Sequence, residues 1–421
     1  MNMKINNRLK NKLIIADNCY YDMDCYKTKL NNNVLVVGTS GSGKTTSIVT
    51  PNILQATGSY IISDPKGNLY GKYGDYLKSK GYRVLKLDFV HMDQSSKYNF
   101  MHYIHCEQDI VKVVDAIYSQ NSHDCEDGGF WDNSSKLLLQ AVIAYLWEFA
   151  DEKEQTFCNI LRLLDACNVK EGCPESKNNL DRIMESIPQD SFASRQYRRF
   201  RVAAGKTLKS ILISCFAAFG AYDSTQFRLM TAYDEIEIAS IGDKKTAVFV
   251  VVSDTDRSMD PFVNTFFTQA LNVLCEHADN DCDDNRLPID VRFILDDFAT
   301  NCIIEEFPRM ISSIRSRGIS TMLMIQAESQ LSASYGNDGR TIVSNCDTYV
   351  YLGGNDYETA DLVAQRLNVP VGDILYMGIG ECVVFRRGSK PYRGNIFNLD
   401  KLVIRQQCQI KGGLEENERA V

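Results

Sequence analysis

The sequence has 421 residues, of which 44% are apolar and 24% are charged, so it is long enough for about two or three globular domains with sizeable cores. This composition excludes a disordered or a fibrous protein. The formal net charge of −8 and the pI of about 5.3 exclude a protein that is basic all round and coats nucleic acid. A nucleic-acid role must therefore depend on a local basic surface inside a pore or groove.

The fourteen cysteines are scattered along the chain and accompany no secretory leader, which favours reduced thiols in the cytosol. No segment reaches the ~18 consecutive apolar residues that a membrane span requires. The longest candidate, 137–150, contains Gln140 and Glu148 and is better interpreted as a buried helix. These features predict a cytoplasmic chain without a transmembrane segment.

Residues 1–33 are a short polar segment, and the first strong apolar run, Val34–Val37, follows them. This run has no helical period and is rich in β-branched residues, which predicts a buried strand. It leads directly into a glycine-rich loop and the start of a helix, in the order of a Walker A motif. The residues of the motif are Gly38, Thr39, Ser40, Gly41, Ser42, Gly43, Lys44, Thr45 and Thr46.

A Walker A loop binds a triphosphate through backbone N–H groups that its glycines allow to turn inward, and through the positive end of the helix dipole. Lys44 would contact the β and γ phosphates, and the Thr45 hydroxyl would bind Mg²⁺. The alternative is a glycine-rich turn that binds nothing. ATP and Mg²⁺ are therefore the expected cofactors.

The region 105–235 is predicted to be helical, because apolar residues recur at spacings of three and four in 109–118, 134–149, 157–166 and 180–187. Within it, 195–209 has six basic residues, no acidic residue and two interleaved aromatic residues. A helix of this kind could contact DNA phosphates, and the alternative is a solvated or subunit-contacting face. The basic residues are Arg195, Arg198, Arg199, Arg201, Lys206 and Lys209.

Apolar runs at 60–64, 246–253, 291–295, 321–326 and 348–352 predict further strands, separated by helical stretches. This pattern indicates an α/β fold with a mostly parallel, doubly wound sheet. The acidic loop 279–285 lies just before one of these strands. It lacks the spacing and the terminal glutamate of an EF-hand, so we expect an exposed, solvated loop there.

The strand 291–295 ends in Asp296 and Asp297, where a P-loop enzyme needs a carboxylate on a second strand of the sheet. Asp296 would orient the water bound to Mg²⁺, and Asp297 would lie where a general base polarises the attacking water. The alternative for both residues is a plain turn. Gln326 ends the next strand, where its amide would sense the γ phosphate or position water, unless it is a surface side chain.

The segment 310–318 indicates a helix-like stretch that carries Arg315 and Arg317. In ring ATPases, an arginine from the neighbouring subunit can stabilise transition-state charge. Either arginine could instead belong to a solvated face.

The ordered set of motifs resembles the TraG/TraD type IV secretion coupling proteins, conjugative ATPases similar to the FtsK and HerA DNA motors. The resemblance extends from about Val34 to Asn398. Its motifs are GTSGSGKT, TPNIL, SDPKGNLY, YNFM, FWDNSSKLLL, FILDDFAT, SSIRSRGIS, MIQAESQLSASYG and NDYETADLVAQRLN.

The resemblance implies a RecA-like P-loop NTPase domain, 34–104 and 236–405, interrupted by an all-α domain, 105–235. A polar tail, 406–421, follows. It also implies a homo-hexameric ring around DNA. The implied partners are single-stranded DNA, a relaxase with its relaxosome proteins, and the channel ATPase or membrane subunits of a type IV secretion system. Recruitment to the inner face of the cell membrane would follow from these partners.

By motif, Lys44 and Thr45 correspond to the phosphate and Mg²⁺ ligands of the family, and Asp296 to its Walker B acid. Gln326 corresponds to the conserved glutamine of a later motif and Arg315 to the arginine finger. Asp64 and Lys66 lie in the strand-end segment beside the P-loop, with a structural ion pair as the alternative.

Two features depart from the family pattern. Asp297 stands where the family usually has glutamate, so its carboxylate is one methylene further from the nucleotide. Only about 33 polar residues precede Val34, where the family usually has membrane-spanning helices. The alternatives to a conjugative motor are a nucleotide-gated docking receptor with little hydrolysis, and a related DNA or protein translocase outside conjugation.

Overall fold

The structure is a computed structural model that describes residues 4–5, 8–118, 130–167, 177–204, 208–220, 222–300, 302–304 and 306–404. Its strands are, in chain order, β1 (Lys4–Ile5), β2 (Lys12–Ala16), β3 (Cys19–Asp22), β4 (Val34–Val37), β5 (Ser59–Pro65), β6 (Arg83–Asp88), β7 (Thr246–Val252), β8 (Val291–Leu295), β9 (Ile319–Ile325), β10 (Thr348–Tyr351), β11 (Glu381–Arg386), β12 (Tyr392–Asn395) and β13 (Val403–Ile404).

The helices alternate with these strands or lie between β6 and β7. They are α1 (Cys25–Thr28), α2 (Thr50–Leu54), α3 (Asn68–Ser79), α4 (Glu107–Tyr118), α5 (Phe130–Phe149), α6 (Phe157–Asp165), α7 (Asn179–Glu185), α8 (Phe192–Ala204), α9 (Leu208–Gly220), α10 (Thr225–Met230), α11 (Asp260–Asn280), α12 (Phe307–Met310), α13 (Ser329–Tyr335), α14 (Gly339–Ser344), α15 (Tyr357–Leu367) and α16 (Val371–Leu375). None of the helices in these described ranges is both long and apolar enough to cross a membrane.

A nine-stranded sheet forms the centre of the molecule, in the order β12-β11-β10-β4-β9-β8-β5-β7-β6. The strands from β10 to β6 are parallel, and β11 and β12 are antiparallel additions at one edge. This arrangement confirms the mostly parallel α/β sheet. The predicted strands are all present, whereas β6, β11 and β12 were not predicted.

Both faces of the sheet are covered, which explains why an inner strand such as β4 is apolar at every position. Successive side chains of a strand point to opposite faces. In β4, Leu35 and Val37 therefore belong to the core on one face, and Val34 and Val36 belong to the core on the other. All four side chains are fully buried.

The helices between β6 and β7 pack over the first of these cores. The helices predicted at 109–118, 134–149, 157–166 and 180–187 are observed as α4, α5, α6 and α7, with ends that differ by a few residues. The basic segment 195–209 extends from α8 into α9, and 205–207 lie outside the described residues. The division into a nucleotide domain and an inserted domain stays a prediction.

The prediction of a helix-like stretch at 310–318 was wrong. Helix α12 ends at Met310, and 311–318 form consecutive turns. The hydroxyl groups of Ser312, Ser313 and Ser316 each donate to the carbonyl three residues earlier. Such side-chain bonds compete with helical backbone bonds, so the serine-rich segment forms turns.

The segment 1–33 contains a β-hairpin, β2 and β3, to which the sequence analysis assigned no element. Asn52 in α2 fixes this hairpin to the helix that follows the glycine-rich loop. Its buried side-chain amide accepts from the backbone N–H of Ile14 at 3.0 Å and donates to the backbone carbonyls of Ile14 and Ile48 at 2.7 Å each. Hydrogen bonds through Asn52 therefore connect the hairpin to the helix that follows the loop.

We predict that Asn52→Ala lowers the free energy of unfolding by about 2–4 kcal/mol, because it leaves the buried N–H and C=O groups of Ile14 without their partner. Urea unfolding followed by circular dichroism measures the change. Asn337→Ala, at an exposed position, is the matched control and should change the stability by less than about 0.5 kcal/mol. An Asn52→Ala protein as stable as the control would contradict this role.

Candidate nucleotide site

The glycine-rich loop leaves the carboxyl end of β4, which lies between the parallel strands β10 and β9. A π-helical turn, Thr45–Val49, follows the loop and continues as α2. Gly41 and Gly43 have φ values of +77° and +92°, which side chains other than glycine rarely adopt. These two glycines therefore let the loop adopt left-handed backbone conformations at two positions.

Gly38 is required for a different reason, because there is no space for a side chain at this position. A Cβ atom at this position would lie 2.6 Å from the hydroxyl oxygen of Ser42 and 2.9 Å from Cβ of Leu352. The N–H of Gly38 donates to the carbonyl of Ile325 at 3.1 Å, so the loop begins in register with the end of β9. The neighbouring strand therefore fixes where the loop starts.

Lys44 folds back over the loop and is almost completely buried. Its ammonium group donates to the carbonyls of Gly38 at 2.5 Å and Thr39 at 3.1 Å. Burial lowers the pKa of Lys44, and the nearby carboxylates of Asp297 and Asp296 oppose that shift. The geometry provides a cation at the mouth of the loop that is held only by neutral carbonyls and is available to an anionic group.

Thr45 and Asp296 meet across the sheet. The Thr45 hydroxyl donates to Oδ2 of Asp296 at 2.9 Å, although the residues are 251 positions apart in the sequence. Asp296 follows β8, which is separated from β4 only by β9. Burial raises the pKa of Asp296, against the opposing effect of the Thr45 hydrogen bond. A hydroxyl and a carboxylate oxygen thus lie together, and Mg²⁺ prefers ligands of this kind.

Asp297 lies at the same edge and has a φ of +53°, in the left-handed region that aspartate tolerates better than most residues. It is half-buried. Its carboxylate is the charge that most favours the protonated form of Lys44. The structure therefore brings Asp297 to the site, as the sequence analysis expected.

Gln326 follows β9 directly and so comes between the glycine-rich loop and Asp296. Its side chain is exposed, and its backbone N–H donates to Oε1 of Gln330 at 2.8 Å. The amide group can turn toward a ligand bound in the loop. This position agrees with either predicted role, as a phosphate sensor or as a group that positions water.

Asp64 and Lys66 do not pair with each other. The carboxylate of Asp64 is fully buried and accepts the backbone N–H groups of Leu69 and Tyr70 at 2.9 and 2.8 Å, at the start of α3. Lys66 forms a 2.8 Å ion pair with Asp254. Asp64 is thus a helix cap beside the site, and the ion pair of this segment is the one between Lys66 and Asp254.

Arg315 lies at the opposite edge of the sheet, because it precedes β9 instead of following it. Its guanidinium is exposed and donates to the carbonyl of Lys29 at 3.3 Å. The seven residues of β9 span about 20 Å, so Arg315 does not reach the glycine-rich loop of its own chain. Arg317 is held by Asp279 through two contacts of 2.8 and 2.6 Å.

Among the basic candidates of 195–209 that the structure describes, Arg195 and Arg201 form ion pairs within the chain. Arg195 pairs with Glu107 at 2.9 Å, and Arg201 pairs with Asp181 at 3.3 Å. Lys206 lies outside the described residues. The exposed members are Arg198, Arg199 and Lys209.

Ile396 is a contact of the loop that the sequence analysis missed. Its Cδ1 atom lies 3.3 Å from the place where a Cβ on Gly43 would be, next to the Thr46 hydroxyl. It follows β12, an edge strand that pairs with β11 and so returns to the carboxyl edge of the parallel strands. An isolated isoleucine after a weak strand gives no signal in the sequence that would reveal this contact.

Comparison with known proteins agrees with this architecture. In solved structures, the chain is similar to the bacterial conjugative coupling protein TrwBΔN70 in complex with sulphate, with a TM-score of 0.64 and 15% identity over 89% of this chain and 87% of that one. It is also similar to VirB4 of Thermoanaerobacter pseudethanolicus, with a TM-score of 0.55 and 13% identity over 94% and 98% of the two chains. These likenesses confirm the RecA-like P-loop NTPase fold.

Among curated proteins, VirD4 of Rhizobium radiobacter is 22% identical over 357 residues, which are 79% of this chain and 47% of that protein. The conjugal transfer protein TraG of the same organism is 22% identical over 347 residues, which are 79% of this chain and 51% of that protein. The chain spans about half the length of these relatives. Residues 3–368 match the family described as Type IV secretory system Conjugative DNA transfer, and the chain therefore belongs to this family.

Proposed function

We propose that this chain is the ATP-hydrolysing motor of a conjugative coupling protein, which recruits relaxase-bound single-stranded DNA and drives it into a type IV secretion channel. The observation that carries the proposal is the Thr45–Asp296 contact beside the glycine-rich loop. Family membership supplies the context of conjugative DNA transfer.

Phosphate binding would use backbone N–H groups of the glycine-rich loop, the start of the following helix and Lys44. The structure holds the Lys44 ammonium against the carbonyls of Gly38 and Thr39. A phosphate oxygen is a stronger partner for an ammonium group than a neutral carbonyl is. Binding of ATP would therefore draw Lys44 from these carbonyls to the β and γ phosphates.

Thr45 and Asp296 are the residues that would hold Mg²⁺, the hydroxyl directly and the carboxylate through bound water. A bound Mg²⁺ neutralises phosphate charge during phosphoryl transfer. Burial raises the pKa of Asp296 because it disfavours the ionised carboxylate. A bound cation would stabilise that ionised form, which fits this use. The related TrwB has been solved with ADP and Mg²⁺ and with the ATP analogue ADPNP, which supports both cofactors here.

Asp297 and Gln326 would position and polarise the attacking water. General-base assistance of this kind is worth about 10²–10⁴-fold in rate. Asp297 has a shorter side chain than the glutamate that the resemblance predicts, and its left-handed backbone places the carboxylate close to Lys44. We expect hydrolysis to proceed with Asp297 as the base.

Arg315 would act on the nucleotide of a neighbouring subunit. It is exposed, and it lies at the edge of the sheet opposite its own glycine-rich loop, as an arginine supplied in trans must. This role requires a ring, for which we propose the homo-hexamer that the resemblance implies. Transition-state arginines of this type contribute about 10³-fold or more to the rate of hydrolysis.

DNA contact is proposed for the exposed basic side chains Arg198, Arg199 and Lys209. Arg195 and Arg201 would contribute less, because Glu107 and Asp181 already compensate their charges. The remaining partners would be relaxosome proteins and the ATPase or membrane subunits of the channel. Those subunits would recruit the chain to the inner face of the membrane.

A second candidate function is a docking receptor that binds ATP to change shape and hydrolyses it slowly. The short side chain of Asp297 favours this alternative, because a general base that is too far from the attacking water contributes little to catalysis. Both functions require nucleotide in the same loop. They differ in the rate at which the bound ATP is hydrolysed.

The two functions are separated by the steady-state ATPase rate of the purified chain with and without single-stranded DNA. We expect turnover that DNA raises and that Lys44→Ala abolishes, since the variant loses the phosphate-binding cation. Lys72→Ala, an exposed lysine on α3, is the matched control and should retain the full rate. ATP binding without turnover, with activity appearing in Asp297→Glu, would support the docking receptor. An active Lys44→Ala protein would contradict the site itself.

The trans role of Arg315 predicts complementation between two inactive variants. Arg315→Ala should lower the ATPase rate by about 10³-fold while ATP binding is retained. Mixing it with Lys44→Ala should restore part of the activity, because an intact loop of one variant then meets an intact arginine of the other. If the mixture stays as inactive as its components, Arg315 does not act across a subunit interface.

A further inference from the structure

The loop that follows α11 packs against the segment that precedes β7, and three different metal-binding groups meet there. They are the carboxylate of Asp243, the imidazole of His277 and the thiol of Cys282, whose ligand atoms all lie within 4.8 Å of one another. The acidic loop 279–285 has no cation-binding pattern of its own in the sequence. The fold adds His277 from the last turn of α11 and Asp243 from a distant segment.

The spacing of these groups is close to that of a tetrahedral metal site. Nε2 of His277 lies 3.0 and 3.2 Å from the two carboxylate oxygens of Asp243. Ligand atoms around zinc, bound at ~2.0 Å through nitrogen or oxygen and ~2.3 Å through sulfur, are about 3.3–3.6 Å apart. The separations between the imidazole and the carboxylate are slightly shorter than this ligand spacing, and the sulfur of Cys282 lies within 4.8 Å of both groups.

A fourth residue orients the imidazole. Nδ1 of His277 lies 3.0 Å from Oδ2 of Asp281. When Nδ1–H donates to this carboxylate, the lone pair of Nε2 faces Asp243 and Cys282. Metal-binding histidines usually have such a carboxylate or carbonyl partner on their second nitrogen. The imidazole is half-shielded from solvent, so its orientation is constrained.

The charges around the thiol also favour a cation. The carboxylates of Asp243, Asp281 and Asp283 lie near the thiol of Cys282. A divalent cation would compensate these carboxylates and stabilise the thiolate form of Cys282.

We propose that Asp243, His277 and Cys282 bind one divalent transition-metal ion of the zinc class, with Asp281 as a positioning residue. Thiolate and imidazole ligands favour zinc over Mg²⁺ and Ca²⁺, which prefer oxygen alone. The ion would connect the end of α11 to the segment before β7. Asp279 in the same loop binds Arg317, so the ion would also hold the loop that supports the turns carrying Arg315.

The competing arrangement is a protonated His277 held between two carboxylates. In that arrangement the short contacts of His277 with Asp243 and Asp281 would be ion pairs, and Cys282 would have no role. The two arrangements differ in one respect that can be measured, which is whether the thiol binds a metal ion.

The test is titration of the chelator-treated, reduced full chain with Co²⁺, a spectroscopic substitute for zinc. We expect one Co²⁺ per chain, a thiolate-to-cobalt charge-transfer band, and loss of that band on addition of Zn²⁺. Cys282→Ser should abolish the band. Asp281→Asn, which changes only the positioning carboxylate, should weaken binding by about 10- to 100-fold.

Cys106→Ser is the matched control, because Cys106 is also partly exposed and lies outside the cluster. It should leave the band unchanged. Thermal unfolding gives a second readout: Zn²⁺ should raise the unfolding temperature of the unchanged chain and of Cys106→Ser, but not of Cys282→Ser. If no charge-transfer band forms, or if the band persists in Cys282→Ser, the proposed metal site is overturned.

Discussion

The hydrogen bond from Thr45 to Asp296 joins the two halves of the candidate nucleotide site, and the rest of the site depends on it. It exists because β9 alone separates β4 from β8, so that the loop after one strand faces the acid after the other. The contact has a cost, since burial raises the pKa of Asp296 and disfavours its ionised form. Buried groups with perturbed pKa values are characteristic of functional sites. A bound cation would therefore stabilise the ionised carboxylate of Asp296.

The sequence was sufficient wherever structure follows from local pattern. The run Val34–Val37 is apolar at every position because both of its faces are buried, and this distinguishes a central parallel strand. Carboxyl ends of parallel strands share one edge of a sheet, so the sequence alone predicts that the loop, Asp296, Asp297 and Gln326 meet. The helical spacing of α4 to α7 was equally clear, because amphipathic periodicity persists over two or more turns.

The remainder depends on contacts between distant parts of the chain. Strand β6 lies at the edge of the sheet and has a mixed, half-exposed pattern, so its sequence resembles a loop as much as a strand. The ion pairs of Arg195 and Arg201 could not be predicted, because their partners Glu107 and Asp181 come from other helices. Ile396 and the pairing of Asn52 with the N-terminal hairpin were missed for the same reason. Side-chain partners that are far apart in the sequence leave no local pattern.

The central claim is that the loop, Thr45 and Asp296 form one Mg²⁺-dependent nucleotide site. Calorimetric titration of ATP into the purified chain, with Mg²⁺ and with a chelator, tests it most directly. The account predicts that Mg²⁺ raises the affinity for ATP by at least about 10-fold, or about 1.4 kcal/mol, and that Asp296→Asn removes most of this increase. Equal affinity with and without Mg²⁺, or a full Mg²⁺ effect in Asp296→Asn, would contradict it.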